Sequence, residues 1–270
     1  MTNYKQDFHI HTYYSDGLDS PYDAVKWAYE GAKTEIAITD HDNVSGVSEA
    51  FLAAEEFGIK IHTGIEFSTE EKRGIGLHIL GYDIDITNKK LLESCEYIKE
   101  LRNKRNDKII NLLKKYYDID YEDILAMTPT GYIGKPVIAR ALVSKGFIKD
   151  KAEAFEKIFS REEFKKIKKE KILAVEAIGI IKGAGGKAVL AHPGLIRGIG
   201  ARESQEFFNN FNILIDELIK LGIDGIECTY KKHSEIENET FHRIAKEKKL
   251  IATVGSDYHG KDWKNYQKDV

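Results

Sequence analysis

His9 and His11 stand two residues apart in Asp7-Phe8-His9-Ile10-His11-Thr12, and Asp16 follows in the turn Ser15-Asp16-Gly17. Side chains alternate along an extended strand, so positions i and i+2 project from the same face. Two imidazoles side by side at a strand end can hold one divalent cation, and Asp16 can reach a neighbouring one. A lone His-x-His pair is more often a satisfied core or surface feature. Here the pattern recurs. Asp40-His41-Asp42 follows one apolar run, Glu66 another, His78 lies in a third, and His192, Asp257 and His259 close later ones. Donors repeatedly placed in or after hydrophobic runs predict a polynuclear metal site.

Imidazole nitrogens with carboxylate oxygens suit zinc, manganese or iron, and the absence of cysteine among the donors argues against a structural zinc knot. Glu66 can bridge two cations. Such a cluster lowers the pKa of a bound water and neutralises phosphate oxygens as charge shifts in a displacement. Phosphoester hydrolysis is therefore the expected reaction class, with amide or lactone hydrolysis behind it.

The elements that must position these residues follow from the punctuation of the chain. Ser20-Pro21 opens a helix, Ser20 as N-cap and Pro21 at the first helical position, that stops near Gly31. A strand at Glu35-Ile36-Ala37-Ile38-Thr39 delivers Asp40-His41-Asp42, a helix spans 44–57, and residues 60–67 and 76–82 read as two more strands. This alternation predicts βα units around a parallel sheet. Residues 88–170 carry almost no β signal and read as amphipathic helices, broken at Thr128-Pro129-Thr130-Gly131 and at Gly146. The βα rhythm then returns: helix 175–182, strand 187–191 ending in His192-Pro193-Gly194, helix 207–221, strand 225–228, helix 236–248 and strand 250–254 before Gly255-Ser256-Asp257-Tyr258-His259. About seven strands result. Parallel α/β barrels place their catalytic groups at strand C-termini. The expected organisation is a barrel from 1–87 and 171–270 with a helical insertion, 88–170.

Composition bounds the alternatives. With 270 residues, 31% charged and 42% apolar, the chain is an ordinary globular mixture, and a net charge of −3 gives no global mark of a nucleic-acid binder. Cys95 and Cys228 supply neither a disulfide framework nor a Cys-x-x-Cys pair, which fits a reducing cytoplasm. Residues 1–7 do not resemble a signal peptide, and no apolar run is long enough to span a membrane.

The motifs Asp7-Phe8-His9-Ile10-His11-Thr12 with Ser15-Asp16-Gly17, Thr39-Asp40-His41-Asp42, Gly64-Ile65-Glu66, Ala191-His192-Pro193 and Gly255-Ser256-Asp257-Tyr258-His259 resemble, in order, those of the PHP (polymerase and histidinol phosphatase) family. The insertion between His78 and His192 resembles its TrpH/YciV-like subgroup, phosphoesterases of nucleotides and RNA 5′ ends that include 3′,5′-nucleotide bisphosphate phosphatases. The resemblance implies a distorted (β/α)7 barrel with three divalent metal ions, manganese, iron or zinc. It implies that His9, His11, Glu66 and Asp257 surround one cation, Glu66, His78 and His192 a second, and Asp16, His41 and His259 the third. The implied reaction is attack of a metal-bridging hydroxide on a terminal phosphate of a nucleotide or short oligonucleotide. Gly134-Lys135-Pro136-Val137-Ile138-Ala139-Arg140 resembles the subgroup's Arg-Pro-His-hydrophobic-Ala segment for a second phosphate, but with Lys135 for the usual Arg and Val137 for the usual His. A lysine attracts phosphate without the bidentate fork of a guanidinium.

Other polar groups have two readings each. Asp42 could hydrogen-bond a ligand imidazole or cap the following helix. His233 could protonate a leaving oxygen or hold a phosphate, against a solvated loop residue. Arg140 and Arg197 are phosphate candidates, Glu227 belongs to a strand facing the barrel, and His62 and His242 read as structural or exposed. Basic runs at 99–115 and 161–171 could guide RNA, although interleaved acids and hydrophobes make a solvated face the commoner outcome. The rival functions are histidinol-phosphate phosphatase and a non-catalytic metal-binding module. The first is disfavoured by the long insertion and the second by the full donor set.

Overall fold

The computed structural model describes residues 4–261; Met1 to Asn3, part of the N-terminus read for a leader, lie outside them. In chain order the elements are β1 (Gln6–Ile10), α1 (Pro21–Glu30), β2 (Glu35–Ile38), α2 (Val47–Phe57), β3 (Lys60–His62), β4 (Gly64–Glu70) and β5 (Gly76–Tyr82). Five helices follow with no strand between them: α3 (Lys89–Leu113), α4 (Tyr121–Leu125), α5 (Lys135–Ser144), α6 (Lys151–Glu153), which runs into a π turn, and α7 (Glu162–Lys165). The last third holds β6 (Ile172–Leu173), α8 (Ala174–Gly183), β7 (Lys187–Leu190), α9 (Gln205–Lys220), β8 (Gly225–Tyr230), α10 (Glu235–Glu247) and β9 (Ile251–Gly255).

The helices begin where capping chemistry allows. Ser20 accepts from Asp23 N ahead of Pro21, and Ser204 and Ser234 cap α9 and α10 in the same way. α2 differs from expectation. Residues 43–46 form a turn, in which Asn43 Oδ1 accepts from Ser45 N, so the helix starts at Val47.

The sheets depart from the expected pattern in two ways. Residues 60–67 are not one strand: β3 pairs with β2, whereas β4 belongs to the other sheet. The switch falls at Thr63-Gly64, where a Cβ on Gly64 would stand 2.5 Å from the Ile38 carbonyl, so only glycine lets the two sheets approach there. The sheet is also mixed rather than parallel, because β5 runs antiparallel to both β4 and β7. A five-residue connection from β4 to β5 is too short for a crossover helix and can only turn the chain back.

The strands form a three-stranded sheet, β1-β2-β3, and a six-stranded one, β6-β4-β5-β7-β8-β9. Isolated bridges join them at two places, Ile10 with Tyr258 beyond β9 and His41 beyond β2 with Glu66 of β4. Between the sheets lies a small cluster of Ala37, Leu80, Tyr82, Val189 and Ala191 with Phe8 against it. The main apolar core is outside β4, β5, β7 and β8, under α8, α9 and α10, and it also takes Leu91, Cys95 and Ile98 from the start of α3. A second core, from Ile109 to Phe164, is made wholly by the helical segment.

Candidate metal centre

Glu66, in the middle of β4, is 1% exposed and has an imidazole on every side. Its Oε2 lies 3.3 Å from His9 Nε2, 3.3 Å from His11 Nε2 and 3.0 Å from His41 Nδ1. Its Oε1 lies 2.9 Å from His78 Nδ1 and 3.1 Å from His192 Nε2. Asp257 joins from beyond β9, with Oδ1 3.2 Å from His11 Nε2 and 3.6 Å from His9 Nε2. His259 stacks on His11 at 4.2 Å and points Nε2 to within 3.3 Å of Asp16 Oδ1. The structure thus gathers His9, His11, Asp16, His41, Glu66, His78, His192, Asp257 and His259 around one concavity.

Three sets have donor atoms within 4.8 Å of one another: His11, Asp16, His41 and His259; His9, His11 and Asp257; and His41, Glu66 and His78. They overlap the sets implied by resemblance without copying them, since His11 also joins Asp16 and His41 joins Glu66 with His78. The donor chemistry fits divalent cations. His9 Nε2, both nitrogens of His11, His41 Nδ1, Glu66 Oε2 and Asp16 Oδ1 are buried polar atoms without a hydrogen-bond partner. So many converging orphans are costly unless something satisfies them.

The electrostatics agree. Burial alone would push the His9 imidazole down, but Glu227 and Glu66 hold it well above the usual histidine range. Burial also opposes protonation of His11, yet Asp257 and Glu66 raise it to about 10, and Glu66 and Asp16 raise His41 against burial. Against burial, the surrounding histidines hold Asp16, Glu66 and Asp257 below the ordinary carboxylate range. Burial takes His78 the other way, down to about 4, which leaves a neutral imidazole. A pocket that attracts this many protons attracts cations in their place, with release of those protons.

Three non-glycine residues here have left-handed backbones: Asp42 at φ 54°, His192 at φ 27° and Asp257 at φ 51°. Such conformations persist only where surrounding contacts enforce them. Asp257 Oδ2 accepts from the Tyr230 hydroxyl at 2.8 Å, and its carbonyl accepts from Lys231 Nζ at 2.7 Å. Asp40 holds the turn leading to Asp16, accepting from Thr12 N and Thr12 Oγ1 at 2.7 Å and from Ser15 Oγ.

Asp42 adopts neither expected role. Its carboxylate accepts from Ser68 N at 3.0 Å, Arg102 Nη2 at 3.1 Å and Lys169 Nζ at 3.2 Å, tying α3 and the 166–171 segment to β4 beside the histidine and carboxylate cluster. His233 is buried, and its ring holds backbone rather than solvent: Nε2 accepts from Gly194 N at 3.1 Å and Nδ1 faces the Cys228 carbonyl at 3.4 Å. Lys135 opens α5 with Nζ 5.2 Å from the Phe159 ring centre. Arg140 donates to the Met127 carbonyl, and Arg197 is exposed in the loop after His192. His62 bridges Glu35 and Asp83 at the far end of the strands, and His242 pairs with Thr229.

Sequence reasoning missed Lys151, which is 3% exposed and lies within the electrostatic reach of Arg140 and Asp16. Burial lowers its ammonium to about 8, with Arg140 acting in the same sense and Asp16 in the opposite one. A single lysine opening a three-residue helix has no motif to mark it.

A model of the PHP domain matches residues 7–225. The chain belongs to the PHP domain family. It is 32% identical over 255 residues to a 5′-3′ exoribonuclease of Haemophilus influenzae, covering 94% of this chain and 90% of that one. It is 30% identical over 259 residues to a 3′,5′-nucleoside bisphosphate phosphatase of Chromobacterium violaceum, covering 94% and 86%. A solved structure from Bifidobacterium adolescentis, described as a metal-dependent phosphoesterase, superposes with TM-score 0.83 at 30% identity over 95% of this chain and 88% of that one. These relatives are hydrolases of phosphate esters, the enzyme class expected from the donor chemistry. The α/β fold is that of PHP structures.

Proposed function

We propose that this PHP protein is a metal-dependent phosphoesterase that removes a terminal phosphate from a nucleotide or short oligonucleotide. The observation that carries this reading is Glu66: one buried carboxylate whose two oxygens serve two separate groups of imidazoles. On that basis His9, His11 and Asp257 would hold one cation with Glu66, His78 and His192 a second with Glu66, and Asp16, His41 and His259 a third. Manganese, iron and zinc all suit these nitrogen and oxygen donors. Bound there, divalent cations supply an activated water and neutralise phosphoryl charge. In the fold we propose, the two bridged sheets together make a distorted (β/α)7 barrel, residues 1–87 and 171–270, with 88–170 as its helical insertion.

The chain's own residues orient this chemistry. Tyr230 and Lys231 fix Asp257, and Asp40 fixes the Thr12–Ser15 turn that presents Asp16. His233 holds the Pro193-Gly194 turn after His192 rather than donating a proton to the leaving group, because both ring nitrogens are committed to backbone. Arg140 and Asp16 lie within electrostatic reach of Lys151, and Arg140 and Lys151, with Lys135 and Arg197, would offer positive charge for phosphates beyond the one being cleaved. Thr130 Oγ1 donates to the Tyr13 carbonyl at 2.7 Å, so the helical segment is anchored against the loop that carries Asp16. The 30–32% identity to relatives named for RNA and nucleoside bisphosphates supports substrates of that class.

A screen of metal-replete protein against adenosine 3′,5′-bisphosphate, 5′-phosphorylated RNA and histidinol phosphate tests the proposal. Turnover of either nucleotide substrate well ahead of histidinol phosphate is expected. Preference for histidinol phosphate, or an inert metal-bound protein, would refute it.

A further inference from the structure

Strand β8 contributes none of the proposed metal ligands, yet its residues touch ligands from three other strands. Glu227 is fully buried, and both carboxylate oxygens are used. Oε1 lies 2.9 Å from His9 Nδ1, and Oε2 accepts from the His192 backbone N–H at 2.7 Å. We infer that Glu227 is a positioning residue for the metal centre, fixing the His9 tautomer and the His192 turn with one carboxylate. The inference rests on the metal assignment proposed above.

The chemistry of the two partners makes a carboxylate necessary. A backbone N–H can only donate. With a cation bound, His9 Nδ1 facing a carboxylate must carry the ring proton, which leaves the Nε2 lone pair for the cation that Glu66 and Asp257, beside that nitrogen, would share. Two donors therefore converge on two acceptor oxygens. A glutamine offers one acceptor and one donor, so it must leave one partner facing an N–H. The fold also makes room for this one group: a Cβ on Gly255 would collide with Glu227 Oε1 and with the His9 side chain. His192 needs the anchor because it sits at φ 27°, a backbone state it would not hold unaided.

The test uses the whole chain stripped of metal. Manganese(II) affinity of wild type and Glu227→Gln is measured by calorimetry, and the metal-free melting curves are recorded beside it. Partners behind metal-bound histidines are typically worth 10–100-fold in affinity, so the variant should bind manganese about ten- to a hundredfold more weakly at a temperature where both melting curves show the metal-free chains folded. Wild-type affinity in the variant would overturn this inference alone, whereas a wild type that ignores manganese would remove the metal reading and this inference with it. Should the variant fail to fold, 15N-histidine NMR of the zinc-loaded wild type decides. His9 protonated at Nδ1 supports the inference, and protonation at Nε2 overturns it.

Discussion

His9 Nε2 and Asp257 Oδ1 lie 3.6 Å apart beside Glu66, in the same imidazole-lined space. Truncating either removes a ligand atom outright, whereas partners one layer back are already worth 10–100-fold. His9→Ala and Asp257→Ala should each lose more than about a hundredfold in phosphatase activity while keeping a native circular dichroism spectrum. Full turnover by both variants would refute the ligand assignment. A different prediction belongs to the opposite end of β2. Lys60, His62 and Gln6 hold the Glu35 carboxyl down at about 2, against burial. A depressed carboxylate contributes stability above its unfolded value near 4.5, and that stability disappears as pH falls towards the folded value. The difference in melting temperature between wild type and Glu35→Gln should therefore be present at pH 6 and vanish by about pH 2. A difference that stays constant with pH would contradict the pairing. The clustered histidines and acids were legible because they recur after apolar runs. For Glu227 the strand facing the barrel was legible but not its bonds to His9 and His192, and Lys151 was not legible at all, since the partners of each come from distant strands or helices.

At the scale of elements, Asp42 is where the helical segment is fastened to the strands that carry the proposed metal ligands. Its carboxylate meets Arg102 of α3, whose side chain is only 5% exposed. Removing one partner of a buried pair strands the other charge, a loss of about 3–5 kcal/mol. Asp42→Ala strands both Arg102 and Lys169 and should cost that much in urea unfolding, and more than Arg102→Leu, which leaves Asp42 paired with Lys169 and Ser68 N. Equal costs for the two variants would count against the tie. One helix limit was readable from its cap, Ser20, whose side chain does accept the N–H three residues on, whereas the Ser234 cap of α10 went unread. Strand direction was not. Periodicity reports which residues are apolar but carries no sign for parallel or antiparallel pairing, so the β4–β5 hairpin was hidden in a βα rhythm. The break at Thr63-Gly64 was hidden likewise, because Ile61 and Ile65 continue one alternating pattern across it.

For the whole molecule, the cluster of buried orphan donors makes folding and metal binding one equilibrium. Without cations the concavity keeps His9, His11, His41, Asp16 and Glu66 atoms out of water with no hydrogen-bond partner. A ligand at a hundred times its dissociation constant adds about 2.7 kcal/mol per site. Dialysis against a chelator should lower the melting temperature by several degrees, and manganese should restore it. The second core, built from Ile109 to Phe164, contains none of the proposed ligands and should be insensitive to that treatment in hydrogen exchange. The account stands or falls on where cations sit. Anomalous diffraction from crystals loaded with manganese measures this directly: it should place one peak within bonding distance of Glu66 Oε1 and another beside Oε2. Peaks elsewhere, with none touching Glu66, would contradict it.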